Sequence, residues 1–132
     1  MLLSTKKKYM FTIYELASNG STVRSIDISK LLGVKKASVS LMLPNLIKEN
    51  LIERTENGNI ALTKEGAVFA GELYAKYLTV YNFFKEDLKS DGENARRDAI
   101  CCLCSISDDN AERMTEYMLE YRHCTSGAGR TD

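Results

Sequence analysis

The sequence predicts a mostly α-helical protein whose third helix is followed by a single two-stranded β-hairpin. Three observations carry this prediction. Apolar residues recur at helical spacing through most of the chain, and Gly33 separates two short helical segments near the amino terminus. An Asn-Gly pair, Asn57 and Gly58, lies between two short runs that suit β-strands. Three helices and a hairpin are typical of a winged helix-turn-helix, which an all-helical domain then follows here.

Apolar stripes and helix-ending residues define the first three helices. A helix is predicted over Ser4–Ser18, where Asn19 and Gly20 end it. A second, shorter helix is predicted over Ser25–Leu32, and Gly33 supplies the turn after it. Beyond that turn, apolar residues at helical spacing predict a third helix with one inward face, formed by Val39, Met42, Leu43, Leu46 and Ile47.

The hairpin and the later helices follow from turn and capping signals. Strands are predicted over Leu51–Thr55 and Asn59–Thr63, and this hairpin is the expected wing. Thr63 is suited to cap a long helix over Lys64–Lys85. After a polar break, two more helices are predicted, one over Glu93–Ser105 and one capped by Ser107.

Charge is unevenly distributed along a chain whose 18 basic and 18 acidic side chains balance. Residues 1–50 hold eight basic and three acidic side chains, which makes that half +5 and the remainder −5. This asymmetry is expected if only the first half approaches phosphates. With neither a signal peptide nor an 18-residue apolar run, the protein is expected to be cytoplasmic and without membrane contact.

The outward face of the third helix has the side chains that a DNA-reading helix needs. Lys35 and Lys36 suit phosphates, Ser40 and Asn45 suit base edges because they donate and accept, and Leu41 suits a thymine methyl group. The alternative for this face and for the wing tip is simple solvation. The candidate DNA contacts are Lys35, Lys36, Ser38, Ser40, Leu41, Asn45, Arg54, Asn57 and Asn59.

The only proline, Pro44, falls inside the third helix. Proline removes the amide that would bond the Ser40 carbonyl, at a cost of ~3 kcal/mol in a helix interior. The sequence therefore predicts that this helix is kinked or ends early.

The chain resembles the diphtheria toxin repressor family and, within it, the short manganese transport regulators that lack a third domain. The resemblance covers residues 6–122 and is carried by Phe11–Leu16, Arg24–Ser40, Leu62–Gly66 and Glu72–Phe84. It implies a homodimer that binds double-stranded operator DNA through winged helices, and a divalent metal held between the first helix and the dimerisation helices. The predicted domains are residues 1–66 for DNA binding and residues 67–124 for dimerisation, with metal sensing as a further possible role. A disordered tail is expected over residues 125–132 because chain ends are commonly disordered.

The chain departs from that family at the residues expected to bind metal. Lys8 and Phe11 stand where the first helix has two carboxylates, and Tyr77 stands where the long helix has a histidine. The remaining family positions line up with three side chains that have plausible ligand spacing on one helix, namely Asp98, Cys101 and Cys102. The candidate cofactors are zinc, cobalt, iron or manganese, with thiolates favouring ions softer than manganese, or no metal at all.

Two other interpretations of these residues stay open. Cys101, Cys102 and Cys104 suit small buried side chains in a helix packing seam, and all are expected to be reduced thiols. Alternatively, Lys8 replaces the lost cation and pairs with Asp98, which would make the regulator independent of metal.

The predicted function is transcriptional regulation, most simply repression by a homodimer whose metal response is altered or lost. Catalysis is not expected, because the only histidine is His123 near the chain end and no catalytic set is suggested. One rival is a thiol-based sensor of redox state or thiophilic metal, in which Arg96 and Arg97 lower a cysteine pKa. The other is a protein-interaction module that does not read DNA.

A homodimer is also expected, because the later helices carry more apolar side chains than a small monomer can bury. These side chains are Leu73, Tyr77, Val80, Tyr81, Phe83 and Phe84.

Overall fold

The computed structural model describes the backbone of residues 2–20 and 22–131 and the side chains of residues 2–20 and 22–122. The chain divides into two compact units, Met1–Leu73 and Tyr74–Asp132. A π-helical segment, Phe83–Asp87, directly follows the fourth helix. The other elements, in chain order, are α1 (Leu3–Ser18), α2 (Ser25–Leu32), α3 (Lys36–Lys48), β1 (Ile52–Arg54), β2 (Ile60–Leu62), α4 (Lys64–Asn82), α5 (Gly92–Ser105) and α6 (Asp108–Thr131). The predicted winged helix-turn-helix followed by further helices is confirmed.

The amino-terminal unit is organised around side chains that its first three helices bury completely. Met10 and Ile13 of α1, Ile28 of α2 and Leu43 of α3 are all inaccessible to solvent. Burial of each such side chain contributes about 1.5–3 kcal/mol relative to leaving it exposed. The other members of this core are Tyr9, Val23, Val39, Leu46, Leu51, Ile52, Ile60 and Ala70. The core therefore fixes which face of α3 is left exposed.

The turn between α2 and α3 is closed by Gly33 and Ser29. Gly33 has a φ of 73°, a left-handed conformation that side-chain-bearing residues rarely adopt, and its amide donates to the Ser29 carbonyl. The buried Ser29 hydroxyl donates to the Val34 carbonyl at 2.6 Å. Because both bonds span so few residues, α3 starts immediately after α2, as helix-turn-helix geometry requires.

The wing is the antiparallel hairpin β1–β2, in which Ile52 pairs with Leu62 and Arg54 with Ile60. Its strands are shorter than predicted, but the turn lies where the Asn-Gly pair placed it. Gly58 has a φ of 77° and its amide donates to the Thr55 carbonyl at 2.9 Å. The Ile60 amide also donates to the Val23 carbonyl at 2.9 Å, which ties the wing to the segment before α2.

The predicted cap of α4 is confirmed. The Thr63 hydroxyl accepts a hydrogen bond from the Gly66 amide at 3.0 Å and donates one to the Asn50 carbonyl at 2.6 Å. Gly66 lies directly against the Leu51 carbonyl, where a Cβ atom would overlap it. The start of α4 is therefore held tightly against the end of the helix-turn-helix.

The sequence predicted a kink or an early end for the third helix. The early end is wrong, because α3 passes Pro44 and continues to Lys48, and the kink stays a prediction. Pro44 and Ser40 both lie on the exposed side of α3. Water can therefore bond the Ser40 carbonyl, and the proline ring does not disturb the core side of the helix.

The carboxyl-terminal unit contains the rest of α4, the π-helical segment, α5 and α6. The predicted long helix to Lys85 is instead α-helical only to Asn82 and π-helical from Phe83. The guanidinium of Arg122 donates to the Asn82 carbonyl and to the Asp87 carboxylate, each at 3.1 Å. These bonds hold the π-helical segment against α6.

Both later helices begin at side-chain caps. Asp91 accepts from the Asn94 amide at 2.9 Å, and Ser107 accepts from the Asn110 amide at 3.1 Å. The disordered tail predicted from Thr125 differs from the structure, in which α6 stays helical to Thr131. No proline occurs there to interrupt its backbone hydrogen bonds. Side chains from residue 123 onward, and all of Asp132, lie outside the described residues.

Candidate nucleic-acid interface

The exposed face of α3 is polar and basic, with one large apolar side chain in its middle. Ser40 and Asn45 are exposed, and Leu41 is 74% exposed. The opposite face is fully buried through Val39 and Leu43, so the orientation of α3 is fixed by its own core contacts. The helix therefore presents small polar groups and one aliphatic side chain outward, which suits base edges in the major groove.

Lysines flank this face. Lys35 immediately precedes α3, Lys36 begins it and Lys48 ends it, and all three are exposed. The residues from Lys36 to Lys48 include no acidic side chain. The next residue, Glu49, is neutralised by Lys6, whose Nζ lies 2.7 Å from its Oε1. The surface of α3 is thus positively charged, as phosphate binding requires.

Several predicted contacts differ in burial from the expectation. Ser38 is half-buried, so it is less accessible to DNA than Ser40. Ile47, predicted to face inward, is 39% exposed, and Met42 is only partly buried. The buried face of α3 is narrower than the spacing of its apolar residues predicted, because only Val39, Leu43 and Leu46 are fully buried in the core.

The wing tip carries polar side chains, one of which also has a structural role. The Arg54 guanidinium donates to the Gly58 carbonyl at 3.0 Å and braces the turn while remaining exposed. Asn57 is exposed, whereas Asn59 is half-buried. Arg54 and Asn57 are therefore more accessible than Asn59, and the DNA contacts predicted for all three stay predictions.

The residues predicted to replace or bind metal lie in different environments. Lys8 is exposed on α1, and Asp98 and Cys101 are exposed on α5, while Cys102 is half-buried. Among the side chains that the structure describes, no group of three or more His, Cys, Asp or Glu residues is arranged to hold a metal ion. The assignment of Asp98, Cys101 and Cys102 as ligands stays a prediction.

The buried cation of α1 is Lys7, which sequence reasoning missed. Its side chain is only 4% exposed, although a buried ammonium group is costly unless it is paired. The signal was present in the sequence: Lys7 lies three residues before Met10 and falls on the same apolar stripe.

One cysteine of α5, Cys102, is less activated than the neighbouring arginines suggested. Cys101, Cys102 and Cys104 form no disulfide, and Cys104 is buried. Burial raises the pKa of the Cys102 thiol, and its neighbour Cys101 raises it further. This direction is opposite to the one expected from Arg96 and Arg97, because loss of solvation disfavours the thiolate.

The apolar surface of the carboxyl-terminal unit lies mainly on α6, not on the residues predicted for dimerisation. Leu73, Tyr77 and Val80 are buried. Tyr117 is 69% exposed and stacks on Tyr121, with ring centroids 6.5 Å apart. A groove of about 480 Å³ runs beside these rings and is lined by Phe83, Ile106, Asn110, Arg113, Met114, Tyr117, Met118 and Tyr121.

A basic recognition face on a three-helix core with a wing defines the class: a winged-helix DNA-binding domain of a transcriptional regulator. Residues 1–59 match the family described as iron dependent repressor, N-terminal DNA binding domain. The amino-terminal residues are therefore similar to the DNA-binding domain of iron-dependent repressors, and the resemblance of the chain to the diphtheria toxin repressor family is confirmed. This family consists of regulators and not of enzymes, in agreement with the sequence prediction.

The individual proteins to which the chain is similar also include regulators. The chain is 25% identical over 115 residues to an uncharacterized HTH-type transcriptional regulator of Methanocaldococcus jannaschii, covering 86% of this chain and 92% of the relative. It is 27% identical to the solved structure of the manganese regulator SloR, with a TM-score of 0.72, and 25% identical to that of ScaR with bound Zn²⁺, with a TM-score of 0.67. Each match covers 88% of this chain but 54% of the solved chain, so this chain spans about half the length of those regulators.

No helix within the described residues has both the length and the apolar character needed to cross a membrane.

Proposed function

We propose that this chain is a sequence-specific DNA-binding transcriptional repressor that acts as a cytoplasmic homodimer and has an altered or lost metal response. The observation that carries the proposal is the outward face of α3 on a winged-helix core. This face is basic at both ends and, apart from the exposed Leu41, mainly polar between them. A solvated helix face needs no such arrangement on a helix whose orientation is fixed by its core.

The proposed division of labour follows from side-chain chemistry. Lys36 and Lys48 contact phosphates at the two ends of α3 and set its register. Ser40 and Asn45, which lie between them, contact base edges because each can donate and accept hydrogen bonds. The Arg54 side chain at the wing contacts the neighbouring backbone or minor groove.

The altered metal response is supported by the side chains at the family's ligand positions. Lys8, Phe11 and Tyr77 are poor ligands for divalent cations, and Tyr77 is also buried. The residues present therefore do not fit the manganese site that the resemblance implies. Asp98, Cys101 and Cys102 are the remaining donors, and their two thiols favour zinc or cobalt over manganese.

The homodimer is supported by α6. Tyr117 and Tyr121 expose a stacked aromatic pair beside an apolar groove, and a second copy of this chain is the partner that would bury both. A two-fold dimer of winged helices predicts a pseudo-palindromic operator with half-sites one helical turn apart, or a multiple of one turn.

The test is operator binding by the purified full chain after selection from a random duplex pool. The protein is treated with chelator and then titrated with manganese, iron(II), zinc or cobalt. Tight binding that persists in chelator supports loss of the metal switch, and binding only with zinc or cobalt supports a thiolate-containing sensor. Failure to bind any duplex even at low salt would contradict the proposal and favour a protein-interaction module.

Substitutions at two lysines of α1 test whether the regulator works without a metal ion. If the Lys8 ammonium pairs with Asp98 in place of a metal, Lys8→Met weakens operator binding in chelator. Lys7→Met is measured beside it, because it removes a neighbouring lysine of α1 that is buried and is not proposed to pair with Asp98. Unchanged affinity in Lys8→Met would remove Lys8 from the mechanism.

A thiol sensor is the second candidate, and the exposed thiol of Cys101 favours it. Its test compares alkylation rates of wild type and Cys101→Ser, with operator binding measured before and after mild oxidation. Slow alkylation and oxidation-insensitive binding would exclude this candidate, which the raised pKa of Cys102 already disfavours at that position.

A further inference from the structure

Pro44 leaves one main-chain oxygen of α3 without its helical donor. In an α-helix the carbonyl of residue i accepts from the amide of residue i+4, and proline has no amide. The carbonyl of Ser40 therefore lacks that bond. Ser40 and Pro44 are both exposed, whereas Val39 and Leu43, one residue earlier in each case, are fully buried. The oxygen thus lies on the exposed side of α3.

This oxygen differs chemically from the rest of the recognition face. It can only accept hydrogen bonds, so phosphates repel it, as do the acceptor edges of guanine and thymine. The donors on base edges in the major groove are the exocyclic amines of adenine (N6) and cytosine (N4). A carbonyl at this place therefore fits a base that carries an amine.

We infer that Pro44 exposes the Ser40 carbonyl so that it reads an adenine or cytosine amine in the major groove of the operator. The inference rests on the proposed DNA-binding function and adds a specificity determinant to it. It also gives a reason for a proline inside a recognition helix, where its cost would otherwise bring no benefit. The neighbouring Leu41, 74% exposed, suits a thymine methyl group beside that amine.

The experiment removes the amine from single bases of the selected operator. Purine replaces adenine and 2-pyrimidinone replaces cytosine, one position at a time, and the Kd of the full chain is measured for each duplex. Wild type is compared with Pro44→Ala and Pro44→Gly. Both variants restore the amide at residue 44 but differ in helix propensity, so an effect that they share arises from the amide and not from helix stability.

The expected result is one position per half-site at which amine removal weakens wild-type binding roughly fivefold to tenfold. At that position both variants should lose less than about twofold, because their Ser40 carbonyl is bonded within the helix. An equal loss in all three proteins, or no sensitive position in wild type, would overturn the inference while leaving DNA binding intact. If wild type enriches no sequence at all, the proposed function fails and the inference falls with it.

Discussion

Single side chains of the amino-terminal unit show how position on a helix decides a role. Lys7 and Lys8 are neighbours in sequence, yet Lys7 is buried and Lys8 is exposed. On α3, Leu41 is exposed while Leu43 is fully buried. Chemically similar residues therefore serve packing or recognition according to the face they occupy, since residues two apart on a helix point in different directions.

Leu41 is predicted to contact a thymine methyl group. Replacing the contacted thymine by deoxyuridine, which lacks that methyl, should weaken wild-type binding about fourfold, as expected at ~0.8 kcal/mol per buried methyl or methylene group. Leu41→Ala should bind the two duplexes equally. Kd measurements with single substitutions along the operator provide the check. Leu3→Ala, an exposed leucine on α1, is the control and should retain the preference.

At the scale of elements, capping side chains decide where several helices begin. Thr63, Asp91 and Ser107 each accept a hydrogen bond from the first turn of a helix, and all three contacts involve residues three apart in sequence. Gly66 lets the start of α4 pack directly against the Leu51 carbonyl, because glycine has no Cβ atom there. The positions of α4, α5 and α6 thus depend on a small number of identifiable side chains.

Two glycines of α4 should respond oppositely to the same substitution. Gly66→Ala places a Cβ atom on the Leu51 carbonyl, so it should lower the free energy of unfolding by about 3 kcal/mol. Gly71→Ala meets only the Tyr14 ring at 3.8 Å, an ordinary contact, and should raise it by up to about 1 kcal/mol through helix propensity. Urea unfolding measures both. Equal effects would contradict the close approach at Gly66.

Asp91 predicts a pH dependence of stability. Hydrogen bonds from the Asn94 amide and side chain hold the pKa of this carboxyl below its ordinary value of 3.8. A lowered folded-state pKa means that the contribution is present above the unfolded value and is lost as pH falls through the folded value. Asp91→Asn keeps a capping side chain that does not titrate.

The free energy of unfolding should therefore decline more steeply in acid for wild type than for Asp91→Asn. Urea unfolding at a series of pH values below about pH 5 measures this difference. Parallel curves for the two proteins would show that the Asp91 cap does not contribute to the acid sensitivity.

At the scale of the whole molecule, the basic surface and the exposed aromatic surface belong to different units. The basic half of the sequence forms the winged helix, and the exposed stacked tyrosines belong to α6 of the other unit. Phosphate binding and self-association would therefore use separate surfaces. If both proposals hold, a substitution on α6 should change the oligomeric state without changing any residue proposed to contact DNA.

The combined variant Tyr117→Lys, Tyr121→Lys should be monomeric, because it places charge on the surface proposed to pair. Sedimentation equilibrium should give the 14.8 kDa chain mass for this variant and twice that mass for wild type. Glu120→Lys, at an exposed position between the two tyrosines, is the matched control and should stay dimeric. A wild-type protein that sediments as a monomer would refute pairing through α6.

The sequence by itself determined the elements and the class of protein. The bounds of α2, the wing turn at Gly58 and the caps at Thr63 and Ser107 were predictable, because each signal lies within a few residues of the structure it specifies. Tertiary structure alone decided that Leu73 and Val80 are buried and that α6 carries the exposed rings. Burial depends on side chains that distant parts of the chain bring together, and periodicity within one helix does not record what packs against it.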